Sequence, residues 1–250
     1  MHLFFAPDIT RSPELPEEEA AHALRVLRLQ TGDEVMLTDG KGMFYRAVIS
    51  AATAKRCQVS VCEAIPWGKP WQGHIHIAVA PTKNLDRMEW MAEKMTEIGM
   101  DELSFLNCRF SERRVIKTER IDKIVLSAVK QSLKALKPVV NEMEDFAQFI
   151  RRDFPCQRFI AHCREEERTE LREALALSGS DAVVLIGPEG DFSEEEVQLA
   201  LAHGFRPVSL GQSRLRTETA ALVACHTINL LNSNPGTCCP HTRLTDKTIE

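Results

Sequence analysis

Two glycine-containing segments are the parts of this sequence best suited to bind a small molecule. Residues 185–193 read LIGPEGDFS and residues 210–220 read LGQSRLRTETA, and each segment leads from an apolar run into a predicted helix. In parallel sheets, ligands bind beyond the carboxyl ends of the strands, where glycine lets a flat ring approach the backbone closely. From the residues alone two interpretations stay open: a ligand site in an α/β domain, or ordinary turns between strands and helices.

The spacing of the same residues argues against several common chemistries. No Gly-Lys-Ser/Thr follows either segment, so neither is a phosphate loop, and the dinucleotide fingerprint G-x-G-x-x-G does not occur. The eight cysteines include no C-x-x-C pair, which argues against a zinc site or a disulfide framework. We therefore predict no metal requirement.

Positive charge is concentrated in one part of an acidic protein. The formal net charge is −5, yet residues 109–137 contain nine Lys or Arg and only three acidic residues. Such a local excess can neutralise the phosphates of a nucleic acid. A solvated helix face has the same pattern, and charge alone does not separate the two interpretations.

Residues 1–70 predict a small β-rich unit. Its predicted strands lie at residues 35–38, 43–50 and 58–64. Residues 39–42 read DGKG and predict a glycine turn between the first two strands. A helix is predicted at residues 16–29, and the Pro- and Gly-containing residues 65–73 predict a linker.

From residue 75 onward the pattern alternates between strands and helices. Strands are predicted at residues 75–80, 103–106, 158–161, 182–186 and 208–210. Helices are predicted at residues 85–98, 119–136, 165–177, 193–204 and 217–231. Asn84 is expected to cap the first of these helices, and Ser193 is expected to form a capping box with Glu196. Repeated βα units predict a mostly parallel sheet that is covered on both faces.

The ends of the chain carry no predicted targeting or membrane segment. The N-terminus has neither a basic start nor a long apolar stretch, and no apolar run approaches the ~20 residues that span a bilayer. We therefore expect a cytoplasmic protein. Residues 232–250 lack periodicity and predict a mobile tail.

An ordered set of motifs makes the chain resemble a known family. The set comprises HALRVLR at residues 22–28, KMTEIG at 94–99, SER at 111–113, and the two glycine segments. With these motifs the chain resembles the 16S ribosomal RNA uridine N3-methyltransferases, within the knotted, SPOUT-type methyltransferase superfamily. The resemblance runs through most of the chain and ends before the tail.

The resemblance implies an α/β fold with two domains. A PUA-like RNA-binding β-barrel is expected at residues 1–70, a parallel-sheet methyltransferase domain with a trefoil knot at 74–232, and a mobile tail at 233–250. Knots are rare exceptions to the usual rules of topology. The implied cofactor is S-adenosylmethionine, and the implied substrate is 16S ribosomal RNA in the small ribosomal subunit. A homodimer is also implied, in which the partner chain completes each cofactor pocket; neither a membrane nor DNA is expected as a partner.

By motif, the resemblance assigns residues of both segments to the cofactor pocket. The first segment is expected to contribute Leu185, Gly187, Glu189 and Gly190. The second segment is expected to contribute Leu210, Gly211, Leu215, Arg216, Thr217 and Ala220. Leu106, just before the basic stretch, is expected to form another wall.

RNA contact is predicted on two surfaces. The helix at residues 16–29 would contribute His22, Arg25 and Arg28. The basic stretch would contribute Arg109, Arg113, Arg114, Lys117, Lys130 and Lys134. Phosphate contacts would supply salt-sensitive affinity, and a flipped base would supply specificity. His22 could also be an ordinary helix histidine, and residues 130–134 vary within the family.

Methylation at uracil N3 requires the loss of the N3 proton, so a base or stabilising cations are needed. The predicted catalytic residues are Arg216, Arg113 and Glu218. The arginines could polarise the uracil carbonyls, and Glu218 or Glu112 could act as the base. Other roles stay open: Arg113 could hold phosphate, Glu112 could pair with an arginine, and Glu218 could cap the last helix.

Two other functions remain open from the sequence. A knotted methyltransferase that acts on transfer RNA or on ribose would share the cofactor segments. A non-catalytic RNA-binding ribosome assembly factor would have lost cofactor binding, and the intact glycine segments argue against it.

Overall fold

The computed structural model describes residues 2–53, 55–163, 168–175 and 181–233. The predicted tail lies outside these residues, except for its first positions, as does part of the helix predicted at 165–177. In the described ranges, no helix is both long and apolar enough to cross a membrane.

The described chain forms two compact units. The first comprises the residues up to Pro70 together with Leu126–Lys137, and the second comprises Trp71–Val125 and the residues from Pro138 onward. The sequence-based division assigned residues 126–137 to the second domain, so the two divisions differ there. Backbone hydrogen bonds explain the difference: the Gly42 N–H donates to the Ala135 carbonyl, and the Lys137 N–H donates to the Gly40 carbonyl, each at 2.9 Å.

The first unit is built on a four-stranded sheet. Its elements are β1 (Leu3–Phe5), α1 (Glu17–Ala21), a π-helical turn (His22–Val26), β2 (Glu34–Thr38), β3 (Met43–Ala52) and β4 (Cys57–Pro66). The strand order is β1-β2-β3-β4; β1 runs parallel to β2, and the other two pairs are antiparallel. Alternate residues of the strands, including Leu37, Ile49 and Val59, form an apolar core with Phe4.

The predicted glycine turn joins β2 to β3. Gly40 and Gly42 have φ of 72° and 110°, in the region that only glycine enters freely. The Asp39 carboxylate accepts the N–H groups of Lys41 and Met43 at 2.7 and 3.1 Å, which fixes the turn. The turn prediction is confirmed.

The second unit is built on a seven-stranded, wholly parallel sheet. Its strands are β5 (Ile75–Val79), β6 (Glu102–Asn107), β7 (Val139–Asp145), β8 (Gln157–Ala161), β9 (Thr169–Glu170), β10 (Ala182–Ile186) and β11 (Arg206–Ser209). The strand order is β7-β6-β5-β10-β8-β11-β9, and every pair is parallel. Strands β5 and β10 are buried at every position, as expected for a sheet covered on both faces.

Helices cover this sheet in two groups. The helices of the second unit are α2 (Leu85–Ile98), the start of α3 (Thr118–Gln131), α4 (Phe146–Ile150), α5 (Leu171–Leu175), α6 (Glu194–Ala202) and α7 (Thr217–Asn232). Helix α7 packs on α2, α5, β5 and β10, whereas α4 packs on α6. The α4 and α6 side holds an aromatic core that includes Phe146, Phe149, Phe192 and Phe205. A mostly parallel α/β sheet was predicted, and it is confirmed.

Both predicted helix caps are present. The Asn84 side chain accepts the Asp86 N–H at 2.9 Å and begins α2. At α6, Ser193 and Glu196 form both halves of a capping box. These caps fix the helix starts that follow β5 and β10.

Two predicted helices end earlier than expected. The helix predicted at 16–29 stops at Val26, and the helix predicted at 119–136 stops at Gln131. Arg28 and Leu133 have φ of 57° and 50°, and a left-handed residue cannot continue a right-handed helix. Strands β1, β7 and β9 and helix α4 were not predicted. The helix predicted at 165–177 is wrong at β9, whose two residues pair with β11, and the described helix α5 begins only after them.

Candidate active site

A cavity of about 760 Å³ lies at the carboxyl ends of the central strands of the second unit. Loops that follow five strands line it, through Lys83 after β5, Glu112 after β6, Cys163 after β8, Gly187 after β10 and Leu215 after β11. A second cavity of about 390 Å³ shares part of this lining, namely Ala161, Cys163, Arg214, Leu215 and Ala220. Both lie where parallel α/β sheets usually bind ligands.

The two glycine segments are bonded to each other. The Thr217 hydroxyl, in the first turn of α7, donates to the Gly187 carbonyl at 3.1 Å, and this bond is buried. A Cβ on Gly187 would lie 3.1 Å from two ring atoms of Phe192, so a larger residue would require the Phe192 ring to shift by a few tenths of an ångström. Gly211 has a φ of 110° and open space around its Cα, so its backbone conformation is the reason for glycine.

Most of the predicted cofactor residues line these cavities. Gly187, Glu189, Gly190, Arg216 and Thr217 line the larger cavity, Leu210 and Gly211 line the smaller one, and Leu215 and Ala220 line both. Leu185 and Leu106 line neither cavity, because both are fully buried in strands. They belong to the apolar cluster behind the loops and support the site from within the sheet.

Glu218 places a buried carboxylate in the larger cavity. The residue is 6% exposed and lies in the first turn of α7, where the helix dipole favours a negative charge. Its Oε1 lies 3.7 Å from Arg87 Nε. Its Oε2 is buried and has no hydrogen-bond partner among the described residues. A buried, unpaired carboxylate oxygen is costly, and a rotation of the side chain toward the cavity that Glu218 lines would let this oxygen accept a hydrogen bond from a ligand.

Arg87 is a cavity residue that the sequence did not reveal as functional. Its guanidinium approaches carboxylates of both glycine segments, Glu218 at 3.7 Å and Glu189 at 4.0 Å. In the sequence it is one polar residue among several on α2. A signal was nevertheless present, since the first turn of a helix that directly follows β5 must lie at the carboxyl edge of the sheet.

The two arginines predicted to be catalytic have different surroundings. Arg216 is exposed, lines the larger cavity, and has no side-chain partner among the residues that the structure describes. Arg113 does not line either cavity; its guanidinium donates to the backbone carbonyls of Thr82 and Lys83 at 3.2 and 2.6 Å. Glu112 lines the larger cavity and pairs with Lys83 at 3.6 Å.

The residues predicted to contact RNA fall in both units. In the first unit, His22, Arg25 and Arg28 are exposed in and just after the π-helical turn, and the His22 ring packs edge-on against Phe4. Lys130 also belongs to this unit and binds Glu19 at 2.6 Å, and Lys134 is half-buried.

In the second unit, the predicted RNA contacts follow β6. Arg114 and Lys117 are exposed there, and Arg109 pairs with Glu195 at 3.0 Å. Arg113, described above, holds the loop after β5.

Known proteins match both units. Residues 69–229 match the RNA methyltransferase domain family, and residues 15–62 match the RNA methyltransferase PUA domain family. The ribosomal RNA small subunit methyltransferase E of Synechocystis sp. is 30% identical, over 92% of this chain and 77% of that protein.

Two solved structures are similar over nearly their whole length. The crystal structure of a probable rRNA-methyltransferase from Porphyromonas gingivalis has 52% identity and a TM-score of 0.86, covering 93% of this chain and 98% of that one. A ribosomal RNA small subunit methyltransferase E from Neisseria gonorrhoeae, bound to S-adenosyl methionine, has 26% identity and a TM-score of 0.82, covering 92% of this chain and 98% of that one. This chain therefore belongs to the family of RNA methyltransferases that includes the ribosomal RNA small subunit methyltransferases E.

Proposed function

We propose that this protein transfers a methyl group from S-adenosylmethionine to N3 of one uridine of 16S ribosomal RNA in the small ribosomal subunit. Family membership supports the reaction class, and the names of the relatives support the substrate. The observation that carries the proposal is Glu218, which lines the cavity between two bonded glycine segments and whose buried carboxylate has one oxygen without a hydrogen-bond partner among the described residues. A proton on a ring nitrogen is a suitable partner for that oxygen.

The two cavities fit the proposed cofactor. Their volumes, about 760 and 390 Å³, lie in the range of small-molecule sites. The adenine would lie against the backbone near Leu210, Gly211 and Leu215, with Ala220 between the two cavities. Glu189 and Thr217 would face the rest of the molecule. When bound, S-adenosylmethionine supplies an electrophilic methyl group on a positively charged sulfur.

The chain's own residues prepare the nucleophile. The Glu218 carboxylate, turned toward the cavity that it lines, would accept the proton of uracil N3. The electron pair of the N–H bond would form the new N–C bond, while the methyl–sulfur bond of the cofactor breaks and its electron pair stays on the sulfur. Arg87, beside Glu218, keeps the carboxylate oriented through an ion pair. Arg216 polarises a uracil carbonyl and stabilises the charge that develops on the ring.

Arg113 receives a different role in this proposal. Both of its contacts go to backbone carbonyls of the loop after β5. Direct contact with uracil would break these bonds, so Arg113 acts as a positioning residue that holds Lys83 and Glu112 at the cavity. Glu112 is exposed and paired with Lys83, which makes it less suited than Glu218 to be the base.

We also propose how the protein meets its partners. The PUA unit binds RNA through Arg25 and Arg28, and the second unit binds RNA through Arg114 and Lys117, all of which are exposed. Salt-dependent phosphate contacts of this kind position a substrate without reading its sequence.

The proposal includes a homodimer and a knotted catalytic domain. Helices α2 and α7 pack together and expose Trp90, Leu230 and Leu231, an apolar set that suits a second copy. Helix α7 returns from β11, which lies next to the edge strand β9, to the central strands β5 and β10, the kind of path that a trefoil knot requires. The substrate would place the enzyme in the cytoplasm.

Methyl transfer to isolated ribosomal subunits tests the proposal. The protein is incubated with methyl-labelled S-adenosylmethionine and small subunits from a strain that lacks its own modifying enzyme, and the RNA is digested to nucleosides. We expect the label in N3-methyluridine at a single site. Label in a ribose or in another base would reject the uridine N3 assignment.

The same assay, at saturating RNA and cofactor, tests the assigned roles. We expect Arg216→Ala and Glu218→Gln each to lower kcat by about tenfold to a thousandfold, the range for removing one charge-stabilising or proton-accepting group. An unchanged kcat in either variant would remove that residue from the mechanism.

A further inference from the structure

The loop that follows β6 presents an exposed aromatic ring. Phe110 is 48% exposed and is the only phenylalanine among the large exposed apolar residues in the described part of the chain. A single exposed apolar side chain needs no explanation by itself. Two further observations indicate a function for this ring: its loop is held rigidly, and the ring lies beside the larger cavity.

The loop is held rigidly against the start of α6. The Cys108 N–H donates to Ser111 Oγ at 3.0 Å, and the Ser111 N–H returns to the Cys108 carbonyl at 3.1 Å. The Arg109 N–H donates to Glu196 Oε1 at 2.8 Å, while the Arg109 guanidinium pairs with Glu195 at 3.0 Å. The backbone on both sides of Phe110 is therefore fixed, and the ring stays in solvent although its apolar surface favours burial.

Phe110 stands beside the larger cavity. A Cβ placed on Gly190 would lie 3.2 Å from Phe110 Cβ and 3.8 Å from its Cγ. Gly190 lines the cavity, and so does Glu112, two residues after the phenylalanine. The ring thus lies directly against one cavity residue and close in sequence to another.

The surroundings of the ring suit an unstacked nucleobase and its phosphate. The Arg109 guanidinium lies 5.8 Å from the centre of the Phe110 ring, and further cations follow at Arg114 and Lys117. Aromatic faces next to basic side chains are the usual site at which single-stranded bases stack. Glutamates at 195 and 196 hold Arg109 without covering the ring.

We propose that Phe110 is the stacking platform for the target uracil once that base has left its RNA stack. This inference rests on the proposed function, because it concerns the base that the same cavity methylates. A uridine inside a folded RNA must lose its stacking before N3 can reach Glu218. The Phe110 ring, outside the cavity and beside Gly190, replaces that lost contact at the edge of the cavity and so raises the fraction of bound RNA in which the uracil is extruded and can enter the cavity.

This role affects the kinetic constants differently from a phosphate contact. Overall RNA affinity comes from cations spread along the backbone and changes less than about threefold when the ring is removed. Loss of one base–aromatic stack lowers the extruded fraction, so kcat falls by about tenfold to a hundredfold. Affinity for S-adenosylmethionine is unchanged, since Phe110 does not line either cavity.

The test compares three variants of the full chain, Phe110→Ala, Phe110→Tyr and Val115→Ala. Val115 is the matched control, because it is 74% exposed and lies in the same stretch between β6 and α3. Small subunits from a strain lacking the modification serve as substrate, and kcat, KM for subunits and the Kd of S-adenosylmethionine are measured for each variant.

The expected pattern is a low kcat in Phe110→Ala alone, with activity kept within about threefold in Phe110→Tyr, which preserves the aromatic face. Equal kcat in Phe110→Ala and Val115→Ala would overturn the proposal that Phe110 is a stacking platform. So would a loss of dimer in Phe110→Ala by sedimentation, which would show that a second copy covers the ring. If the wild-type protein itself fails to methylate uridine N3, the proposed function is wrong. That result differs from the two results above, in which the wild-type protein is active.

Discussion

At the scale of single residues, the bond between Thr217 and Gly187 connects the two halves of the site. It is the only side-chain hydrogen bond found between the glycine segments in the described part of the chain, and it is buried. If the Thr217 hydroxyl is removed, the buried Gly187 carbonyl has neither a protein donor nor water to form a hydrogen bond with. The bond therefore matters both for the folded state and for the shape of the cavity.

Thr217→Val removes this hydroxyl and keeps the shape of the side chain. We expect the free energy of unfolding to fall by about 1–3 kcal/mol, the cost of a buried unpaired carbonyl. We also expect the Kd of S-adenosylmethionine to rise by about tenfold, because the first glycine segment loses its anchor. Urea unfolding and calorimetric titration measure the two effects.

The control for this change is Thr53→Val. Thr53 is exposed; its hydroxyl donates to the Arg56 carbonyl at 3.4 Å and accepts the Arg56 N–H at 3.1 Å, and water can replace both of these exposed bonds. This variant should match the wild type in both measurements. A Thr217→Val protein that also matches the wild type would show that the bond does not hold the site together.

Where the signal was local, the sequence identified residues that line the two cavities. Gly187, Gly190 and Gly211 stood out because they sit between an apolar run and a helix. The partners of Arg87 and the position of Phe110 were not visible, since both depend on contacts between segments far apart in the chain. The unpaired Glu218 oxygen likewise follows from burial, which one sequence does not report.

At the scale of elements, the amino ends of the parallel strands carry a polar network on the side opposite the cavities. His76 in β5 is 5% exposed and shares a hydrogen bond of 2.8 Å with Ser104 in β6. Glu102, at the start of β6, binds His74 at 2.9 Å and Asn141 of β7 at 2.6 Å. The network joins three adjacent strands.

Burial lowers the pKa of His76 to about 4, although the Glu102 charge acts in the opposite direction. The hydrogen bond from His74 lowers the pKa of Glu102 to about 2, against the effect of its partial burial. Both groups bind protons less readily in the folded state than in the unfolded state. Acid therefore lowers the free energy of unfolding. The loss due to His76 occurs as the pH falls from about 6.5 towards 4, and the loss due to Glu102 occurs as the pH falls from about 4.5 towards 2.

His76→Gln isolates the histidine contribution and retains a hydrogen-bonding group near Ser104. From the shift of its pKa, His76 costs the wild-type protein about 2 kcal/mol of unfolding free energy between pH 7.5 and pH 5.0. Between pH 7.5 and pH 5.0, we therefore expect the free energy of unfolding of the variant to fall by about 2 kcal/mol less than that of the wild type. Urea unfolding at the two pH values is the measurement, and identical losses in both proteins would contradict the assignment.

Element-scale prediction depended on periodicity. The strands β5 and β10 and the helices α2, α6 and α7 were predicted because caps and apolar patterns agreed with each other. The early ends of α1 and α3 were missed because nothing in the types of Arg28 or Leu133 requires a positive φ. Strand β7 alternates poorly between buried and exposed positions, which explains why it was missed as well.

At the scale of the whole molecule, connectivity was the part least accessible from sequence. Alternating βα units predicted a parallel sheet, but not that β10 lies between β5 and β8. That order brings the loops after β5, β8 and β10 to neighbouring positions at one edge. Similarly, residues 126–137 belong to the first unit through contacts that the sequence does not reveal, such as the backbone bonds of Gly40 and Gly42 and the pair between Lys130 and Glu19.

We propose that the two glycine segments and the start of α7 form the S-adenosylmethionine site. Ala220 lines both cavities, so Ala220→Leu fills them while keeping a good helix former in α7. The control is Ala202→Leu, at an exposed position of α6 outside both cavities. Calorimetric titration of S-adenosylmethionine into the full-length protein should give one site per chain in the wild type and in Ala202→Leu, and at least a hundredfold weaker binding in Ala220→Leu. Undiminished binding to Ala220→Leu would mean that the cofactor site lies elsewhere.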